Sequence, residues 1–468
     1  MDHTVDEPVV IIGAGVAGLT AADELAHLGI PAVLVERQED IGGLARTVQR
    51  NGYRFDLGGH RFFTRIPQIK RLWDELLGDE FLLRPRLSRI YYRQRFFSYP
   101  LKPLQAMHQL GALHSLRIVG SYLRARLLPC RRIDSFENWV SNRFGRALYE
   151  TFFKAYTEKV WGRPCSQLSA DWAAQRIKDL SLTKALFSSL RLCGRTPVSL
   201  IEQFDYPRLG PGQMWQALLD RACQRGQQIH LNTSVTGLVV GGQRVRGVRV
   251  RGPKGEEEWP CSGVISSMPL PDLVRALDGV TSAALDAAGS LKHREMLTVA
   301  LVLKGRDHFP DNWIYVHDPA VRVGRIQNFG NWSPNLVPTG DETVLGMEYF
   351  CNAGDELWET EDKDLIAMAT AEVAALRLIA APQVTVGFVE RVSHAYPVYD
   401  PGYHDSLSTI RQVLAPLTNL QTTGRNGLHR YNNMDHSMLS GIYAAQNLAG
   451  SNHDLWSINL ENRYLEAG

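Results

Sequence analysis

The first forty or so residues contain the sequence feature that most constrains the fold of this chain. The β-branched run at residues 8–12 leads directly into Gly13-Ala14-Gly15-Val16-Ala17-Gly18, and a second apolar run at residues 31–35 ends at Glu36. A strand, a glycine-rich turn, a helix and a second strand place a pyrophosphate at the helix N-terminus, and the acidic residue accepts ribose hydroxyls. We therefore predict a parallel α/β sheet with a dinucleotide site. Its first contacts are Gly13, Gly15, Gly18 and Glu36.

Further glycine-rich segments indicate which dinucleotide binds. Gly42, Gly43 and Arg46 follow the second strand, and a polar loop at Gly424 and Arg425 precedes a predicted helix at residues 437–449. A helix N-terminus directed at a flavin stabilises the negative charge of the reduced ring. Because both ends of the chain would then build one cofactor domain, we predict FAD rather than NAD. The other predicted cofactor contacts are Gly58, Gly59, Val235, Asp435, His436 and Ser437, with Ser437 capping the helix.

Composition excludes several classes of protein. The chain has 468 residues, 44% of them hydrophobic and 21% charged, with a net charge of only +2. These values argue for a globular protein of two or three connected domains and against a nucleic-acid partner. The six cysteines form no CxxC pair, so we expect no metal site, no disulfide framework and a cytoplasmic location.

The coarse pattern predicts how the rest of the chain is organised. Residues 101–200 show apolar spacings of three and four without long β-branched runs, whereas residues 296–350 are rich in strand-forming residues. We predict a Rossmann-like FAD-binding domain from residues 1–65, 204–275 and 391–468. An antiparallel-sheet substrate domain takes residues 66–100 and 276–390, and an inserted helical domain takes residues 101–203. The predicted fold class is thus α/β with α+β insertions.

Several motifs along the chain point to one family. They are GGH at residues 58–60, YTEKVWG at 156–162, FDYPR at 204–208, HAYP at 394–397 and RYNNMDHS at 430–437, together with Trp313-Ile314-Tyr315 ten residues before Arg325. The chain resembles the FAD-dependent amine oxidase and protoporphyrinogen oxidase superfamily, and within it the UDP-galactopyranose mutases. The resemblance extends over almost the whole sequence.

The resemblance also implies site residues. His60 would adjust to the redox state of the flavin, while Arg176 and Arg325 would pair with pyrophosphate oxygens through their planar guanidinium groups. Tyr156 and Trp161 would stack on a base. The remaining predicted substrate contacts are Tyr315, Tyr396, Tyr431 and Asn433.

Two functions follow from this resemblance. The first is a pyranose/furanose isomerase for a nucleotide sugar that acts through N5 of reduced FAD, with NADPH or NADH as a possible reductant. The second is an FAD-dependent oxidase or desaturase, because a fold alone does not determine the reaction. The two arginines and the YTEKVWG motif favour the isomerase. The adjacent Asp435 and His436 suggest two members of a hydrolase triad. No GxSxG nucleophile motif accompanies them in the sequence, which argues against a hydrolase. The oligomeric state stays open.

One stretch of the chain is exclusively basic. Between Phe81 and Ile133 there is no Asp or Glu, but there are eleven Lys and Arg residues. Such a surface suits nucleotide-sugar phosphates or an anionic membrane, and it is equally typical of a solvated face balanced by acidic residues elsewhere. We expect the 104–132 segment to contact membranes weakly.

Overall fold

The cofactor domain is built on a parallel sheet. In this computed structural model, the structure describes residues 7–99, 101–170, 202–338, 340–379 and 383–459. Five parallel strands lie in the order Leu420–Thr422, Gly263–Ser266, Val9–Ile12, Ala32–Val35 and Gln228–His230. The strands therefore come from the first, middle and last parts of the chain, and the predicted α/β fold class is confirmed.

Side-chain alternation on the central strand divides the cofactor domain into two cores. Val9 and Ile11 pack in one core, and Val10 and Ile12 pack in the other, because successive side chains of a strand point to opposite faces. The first core contains helices Val16–His27, Pro67–Leu77, Gly212–Gln224 and Met434–Leu448. The second contains helices Leu270–Ala276, Ser282–Ser290 and Tyr403–Leu414 and a three-stranded antiparallel sheet, Ser234–Gly241, Arg244–Gly252 and Gly255–Pro260.

A larger sheet faces the cofactor domain. Its seven strands have the order Val384–Pro397, His293–Lys304, Glu342–Cys351, Arg325–Asn328, Trp313–Val316, Ser88–Tyr92 and Arg95–Ser98, and one pair of them is parallel. The helix Asp362–Ala375 covers one face, and the short helix Glu356–Glu359 precedes it. The other face packs against Phe55 and Leu57 of the cofactor domain. Two strand pairs, Thr47–Arg50 with Tyr53–Asp56 and Phe81–Pro85 with Gln203–Pro207, complete the described strands.

The inserted region is helical over its described residues. It consists of helices Pro103–Leu110, Ala112–Leu127, Phe136–Phe144, Arg146–Leu148 and Lys154–Trp161, with one π-helical turn at Tyr149–Phe153. Gly145 allows two of these helices to cross closely, because a Cβ there would lie 2.7 Å from the backbone nitrogen of Tyr122. Among the described residues, no helix combines the length and apolarity needed to span a bilayer.

Packing places some segments differently from the sequence-based borders. The sequence assigned residues 66–77 to the sheet domain, whereas the helix Pro67–Leu77 packs in the cofactor core through Ile69 and Trp73. The helix Ser282–Ser290 also packs on the cofactor side, and the strand Val384–Pro397 extends the large sheet beyond residue 390. An amphipathic helix can serve either neighbour, so periodicity did not identify its partner.

Candidate active site

The first glycine motif forms a tight turn in which Gly13 and Gly18 have no room for a side chain. Gly13 has φ of 96°, and a Cβ on Gly18 would lie 1.9 Å from the carbonyl oxygen of Gly13. The helix Val16–His27 starts directly after Gly15. The turn therefore leaves the helix N-terminus open to a pyrophosphate, as this class of motif requires.

Glu36 is held at the end of the second strand. Its carboxylate accepts hydrogen bonds from the backbone nitrogens of Ala14 (2.9 Å) and Gln38 (3.0 Å). The backbone nitrogen of Thr233 donates to the carbonyl oxygen of Glu36 at 2.8 Å, which brings the predicted contact Val235 into the same neighbourhood. An acceptor fixed at this position fits the ribose hydroxyls of a dinucleotide.

The second glycine pair lies against the first motif. Gly42 has φ of 95°, and a Cβ on Gly43 would lie 3.1 Å from Cα of Gly15. Arg46 joins this segment to the large sheet, since its guanidinium group pairs with Glu390 at 3.1 Å. Within the described part of the chain, Nε of Arg46 is buried without a hydrogen-bond partner, so this segment can still donate to a polar cofactor.

The C-terminal segment brings a second helix N-terminus to the site. Gly424 has φ of 79° and would place a Cβ 3.1 Å from Cβ of Ala17. Asp435 and His436 are buried in the first turn of the helix Met434–Leu448. The predicted cap at Ser437 is wrong, because the helix begins three residues earlier and Asn433 occupies the N-cap position without a side-chain cap bond.

Together these features fit FAD. Two helix N-termini, the glycines Gly13 and Gly18, which have no room for a Cβ, and an acceptor at Glu36 match the needs of a dinucleotide. Two buried polar atoms in the same segments, Nδ1 of His60 and Oδ1 of Asn426, have no hydrogen-bond partner among the described residues. Buried polar groups are normally satisfied, so these atoms provide further positions for cofactor contacts.

The Gly58-Gly59-His60 loop lies against a charged pair on the large sheet. A Cβ on Gly58 would lie 3.7 Å from the Glu348 carboxylate and 3.8 Å from the Arg325 guanidinium group, and one on Gly59 would lie 3.0 Å from Nε2 of Gln327. Burial, followed by the positive charges of Arg425 and Arg325, lowers the pKa of His60 to about 3. The imidazole is therefore neutral at physiological pH.

The Arg325 guanidinium group forms an ion pair with the carboxylate of Glu348. Neighbouring strands pair the two residues directly, and Nε of Arg325 donates to the Glu348 carboxylate at 2.9 Å. Gln327 donates to the same carboxylate at 2.8 Å. Burial alone would lower the pKa of Arg325, but Glu348 outweighs it and the pKa lies well above its usual value. Glu348 thus removes much of the positive charge that the sequence assigned to this position.

Tyrosines surround the guanidinium group. The hydroxyl of Tyr396 lies 3.3 Å from Arg325, and the ring of Tyr396 stacks on Tyr431 at 5.6 Å between centroids. Tyr156 meets Tyr315 edge to face at 5.8 Å. Burial raises the pKa of Tyr396 to about 12 and that of Tyr156 well above its usual value, with Arg325 opposing both shifts. Both phenols therefore stay protonated at neutral pH and can donate hydrogen bonds.

The structure does not form the predicted base sandwich. Tyr156 stacks on His317 at 4.5 Å, so one face of its ring is covered. Trp161 is only 5% exposed and packs near Tyr396 in the helical core. Arg176 lies outside the described residues, and Asn433 is exposed at the start of the C-terminal helix.

Two further arginines were missed from the sequence. The guanidinium groups of Arg61 and Arg86 lie 5.2 Å and 5.4 Å from the ring centroid of Trp313, and Arg86 also lies 5.5 Å from that of Tyr99. Tyr99 in turn packs 4.8 Å from Tyr315. Arg61 directly follows the GGH motif, and this adjacency was the available signal. We define the tyrosine–arginine cluster as Arg61, Arg86, Tyr99, Tyr156, Tyr315, Arg325, Tyr396 and Tyr431. Arg61 joins it through Trp313, whose ring lies 6.4 Å from that of Tyr315.

Comparison with known proteins assigns the chain to a family. Residues 16–449 match the model of the flavin containing amine oxidoreductases. Coproporphyrinogen III oxidase of Mycobacterium leprae is 25% identical over 87% of this chain and 91% of its own. A crystal structure of reduced UDP-galactopyranose mutase shares the fold with a TM-score of 0.84 at 21% identity, covering 97% of this chain and 98% of that one. A structure of wild-type putrescine oxidase bound to putrescine has a TM-score of 0.63 at 16% identity and covers 95% of this chain and 99% of its own. The chain therefore belongs to the flavin containing amine oxidoreductase family and is an FAD-dependent enzyme.

Proposed function

We propose that the protein isomerises a nucleotide sugar between its pyranose and furanose forms, with reduced FAD as the cofactor. The observation that carries this proposal is the tyrosine–arginine cluster beside the Gly58-Gly59-His60 loop. Protonated phenols and guanidinium groups are the donors that a diphosphate ester accepts. The likeness in fold to UDP-galactopyranose mutase, at a TM-score of 0.84, supports the same reading.

FAD would be held by the glycine segments, Glu36 and the N-terminus of the helix Met434–Leu448. When bound in its reduced form, it would supply the nucleophile for the sugar. The residues of this chain would bind and orient the substrate: Tyr156 and Tyr396 donate to the diphosphate, and Glu348 fixes the direction of Arg325. His60 stays neutral, so it adds no charge to the developing leaving group. Positioning and electrostatic stabilisation are then the contribution of the protein.

An oxidase is the second candidate, and a specific observation favours it. A relative that matches over 87% of this chain is a coproporphyrinogen III oxidase. In addition, Glu348 neutralises Arg325, which lowers the positive charge available to a diphosphate. A porphyrinogen substrate would need a largely apolar slot, whereas the tyrosine–arginine cluster contributes five described tyrosines and three arginines to this region. The polar lining therefore favours the isomerase.

One experiment separates the two reactions. The holoenzyme is reduced with dithionite under anaerobic conditions and incubated with UDP-galactopyranose, UDP-galactofuranose and other nucleotide sugars, while a parallel aerobic sample receives coproporphyrinogen III. A product of unchanged mass from a nucleotide sugar supports the isomerase. Loss of hydrogen from the porphyrinogen with peroxide formation, and no change in any sugar, would overturn it. A separate anaerobic sample that receives NADPH or NADH in place of dithionite tests whether either nucleotide can reduce the flavin.

A further inference from the structure

The inserted helical region carries an exposed apolar face. On the helix Ala112–Leu127, Ser115 and Ile118 are buried. The opposite side presents the leucine face, which we define as Leu113, Leu116, Leu123 and Leu127, with exposed fractions of 86%, 68%, 53% and 79%. Spacings of three, seven and four residues align side chains on one side of a helix. Four large apolar side chains are thus presented together to the surroundings, which is unusual for a surface without a binding role.

Arginines border the leucine face. Arg124 and Arg126 lie on the same helix and Arg131 lies just beyond its end, and all three are exposed. Within the described ranges, none of the three makes an ion pair, whereas Arg117 pairs with Glu150 at 2.9 Å. The absence of Asp and Glu between Phe81 and Ile133 leaves the positive charge of this border largely unopposed.

We propose that the leucine face docks on a membrane surface that contains anionic phospholipid. An amphipathic helix binds an interface when apolar side chains enter the boundary between headgroups and acyl chains while adjacent basic side chains meet the headgroups. Each basic residue near an anionic surface strengthens binding about fivefold. The enzyme would lie on the membrane, since no described helix is suited to span one.

Charge selects this partner over a second copy of the chain. Two leucine faces packed together would bring two sets of Arg124, Arg126 and Arg131 into proximity, and like charges across an interface oppose association. An anionic membrane meets the same arginines with opposite charge. The proposal does not depend on the reaction catalysed, because the leucine face is distinct from the tyrosine–arginine cluster.

Vesicle cosedimentation of the flavin-loaded enzyme tests the proposal. We expect binding to vesicles of phosphatidylcholine with phosphatidylglycerol, weaker binding to phosphatidylcholine alone, and release by salt. Arg124→Gln with Arg126→Gln should weaken binding about 25-fold, whereas Arg124→Lys with Arg126→Lys should preserve it. Leu116→Gln with Leu123→Gln should weaken binding at least about tenfold. The matched control is Leu285→Gln, because Leu285 is 42% exposed on the helix Ser282–Ser290 and should bind as the parent does.

Two results would overturn the proposal. The first is vesicle binding that the Leu116→Gln, Leu123→Gln variant does not weaken. The second is a parent holoenzyme that does not bind vesicles but self-associates in sedimentation velocity, with the self-association abolished in the same variant. Flavin absorbance and thermal melting verify that each variant is folded. If the Leu116–Leu123 pair fails to fold, Leu113→Gln with Leu127→Gln supplies the same test at the two most exposed positions of the face.

Discussion

The ion pair between Arg325 and Glu348 should respond asymmetrically to the loss of either partner. The Glu348 side chain is completely inaccessible, whereas that of Arg325 is 20% exposed. Arg325→Gln leaves a buried carboxylate with one remaining described donor, Gln327. Glu348→Gln leaves a guanidinium group that water can partly solvate. Because an unpaired buried charge carries the larger penalty, Arg325→Gln should be the more destabilising substitution.

The magnitudes follow from burial. Removing one partner of a buried pair costs about 3–5 kcal/mol, and we expect Arg325→Gln to fall in that range. Solvent screening of the exposed part of Arg325 reduces the cost of Glu348→Gln to about 1–2 kcal/mol. Replacing both residues by Met should recover much of the loss, because no charge is then left unpaired.

Urea unfolding of the holoenzyme, followed by tryptophan fluorescence, measures these differences. The matched control is Arg251→Gln, which breaks the pair of Arg251 and Glu256, both more than 60% exposed, and should cost less than about 1 kcal/mol. Equal losses for Arg325→Gln and Glu348→Gln, or a smaller loss for Arg325→Gln, would refute the argument from burial.

Three further outcomes are expected. Gly18→Ala should abolish the yellow colour of the purified protein, since its Cβ would lie 1.9 Å from the Gly13 carbonyl oxygen. Gly289→Ala, whose Cβ meets nothing within 4 Å, should retain flavin. Equal flavin absorbance in the two variants would contradict the tight turn. Burial lowers the pKa of His293 to about 2 and that of His429 to about 4. As the pH falls, both imidazoles therefore bind a proton in the unfolded protein at a higher pH than in the folded protein. Stability should fall as pH drops below about 6.5, by about 2 kcal/mol per imidazole at about pH 5, and urea midpoints that stay constant over this window would contradict it. His429→Gln should make the urea midpoint less sensitive to pH over the same window, and an unchanged slope would assign the effect to other groups.

The α/β fold of the cofactor domain could be predicted from local motifs. Gly13, Gly18 and Glu36 sit in one short contiguous stretch, so their geometry follows from neighbouring residues and the strand order of a common fold. The strands at residues 8–12 and 31–35 were also predicted close to their observed bounds, Val9–Ile12 and Ala32–Val35. These elements depend on local periodicity and breakers, which the sequence displays directly.

The candidate site was predicted less completely, for a physical reason. Glu348 interrupts the apolar strand Glu342–Cys351 as a single buried acid, but its partner depends on the antiparallel register that sets it beside Arg325. Register is a long-range property that a single sequence does not display. The position of Trp161 was misjudged for the same reason, because the packing that buries it comes from distant residues such as Tyr396.

Titration of the oxidised holoenzyme with UDP measures whether the tyrosine–arginine cluster binds a diphosphate ester. Isothermal titration compares UDP with coproporphyrin III in the parent protein, in Tyr156→Phe with Tyr396→Phe, and in Tyr443→Phe as a matched control on the C-terminal helix. We expect UDP to bind to the parent protein. The paired variant should weaken UDP binding at least about tenfold, because it loses hydrogen bonds to a charged group, and the flavin content should be the same in all three proteins. Tight binding of coproporphyrin III with no detectable UDP binding would show that the tyrosine–arginine cluster is not a diphosphate site.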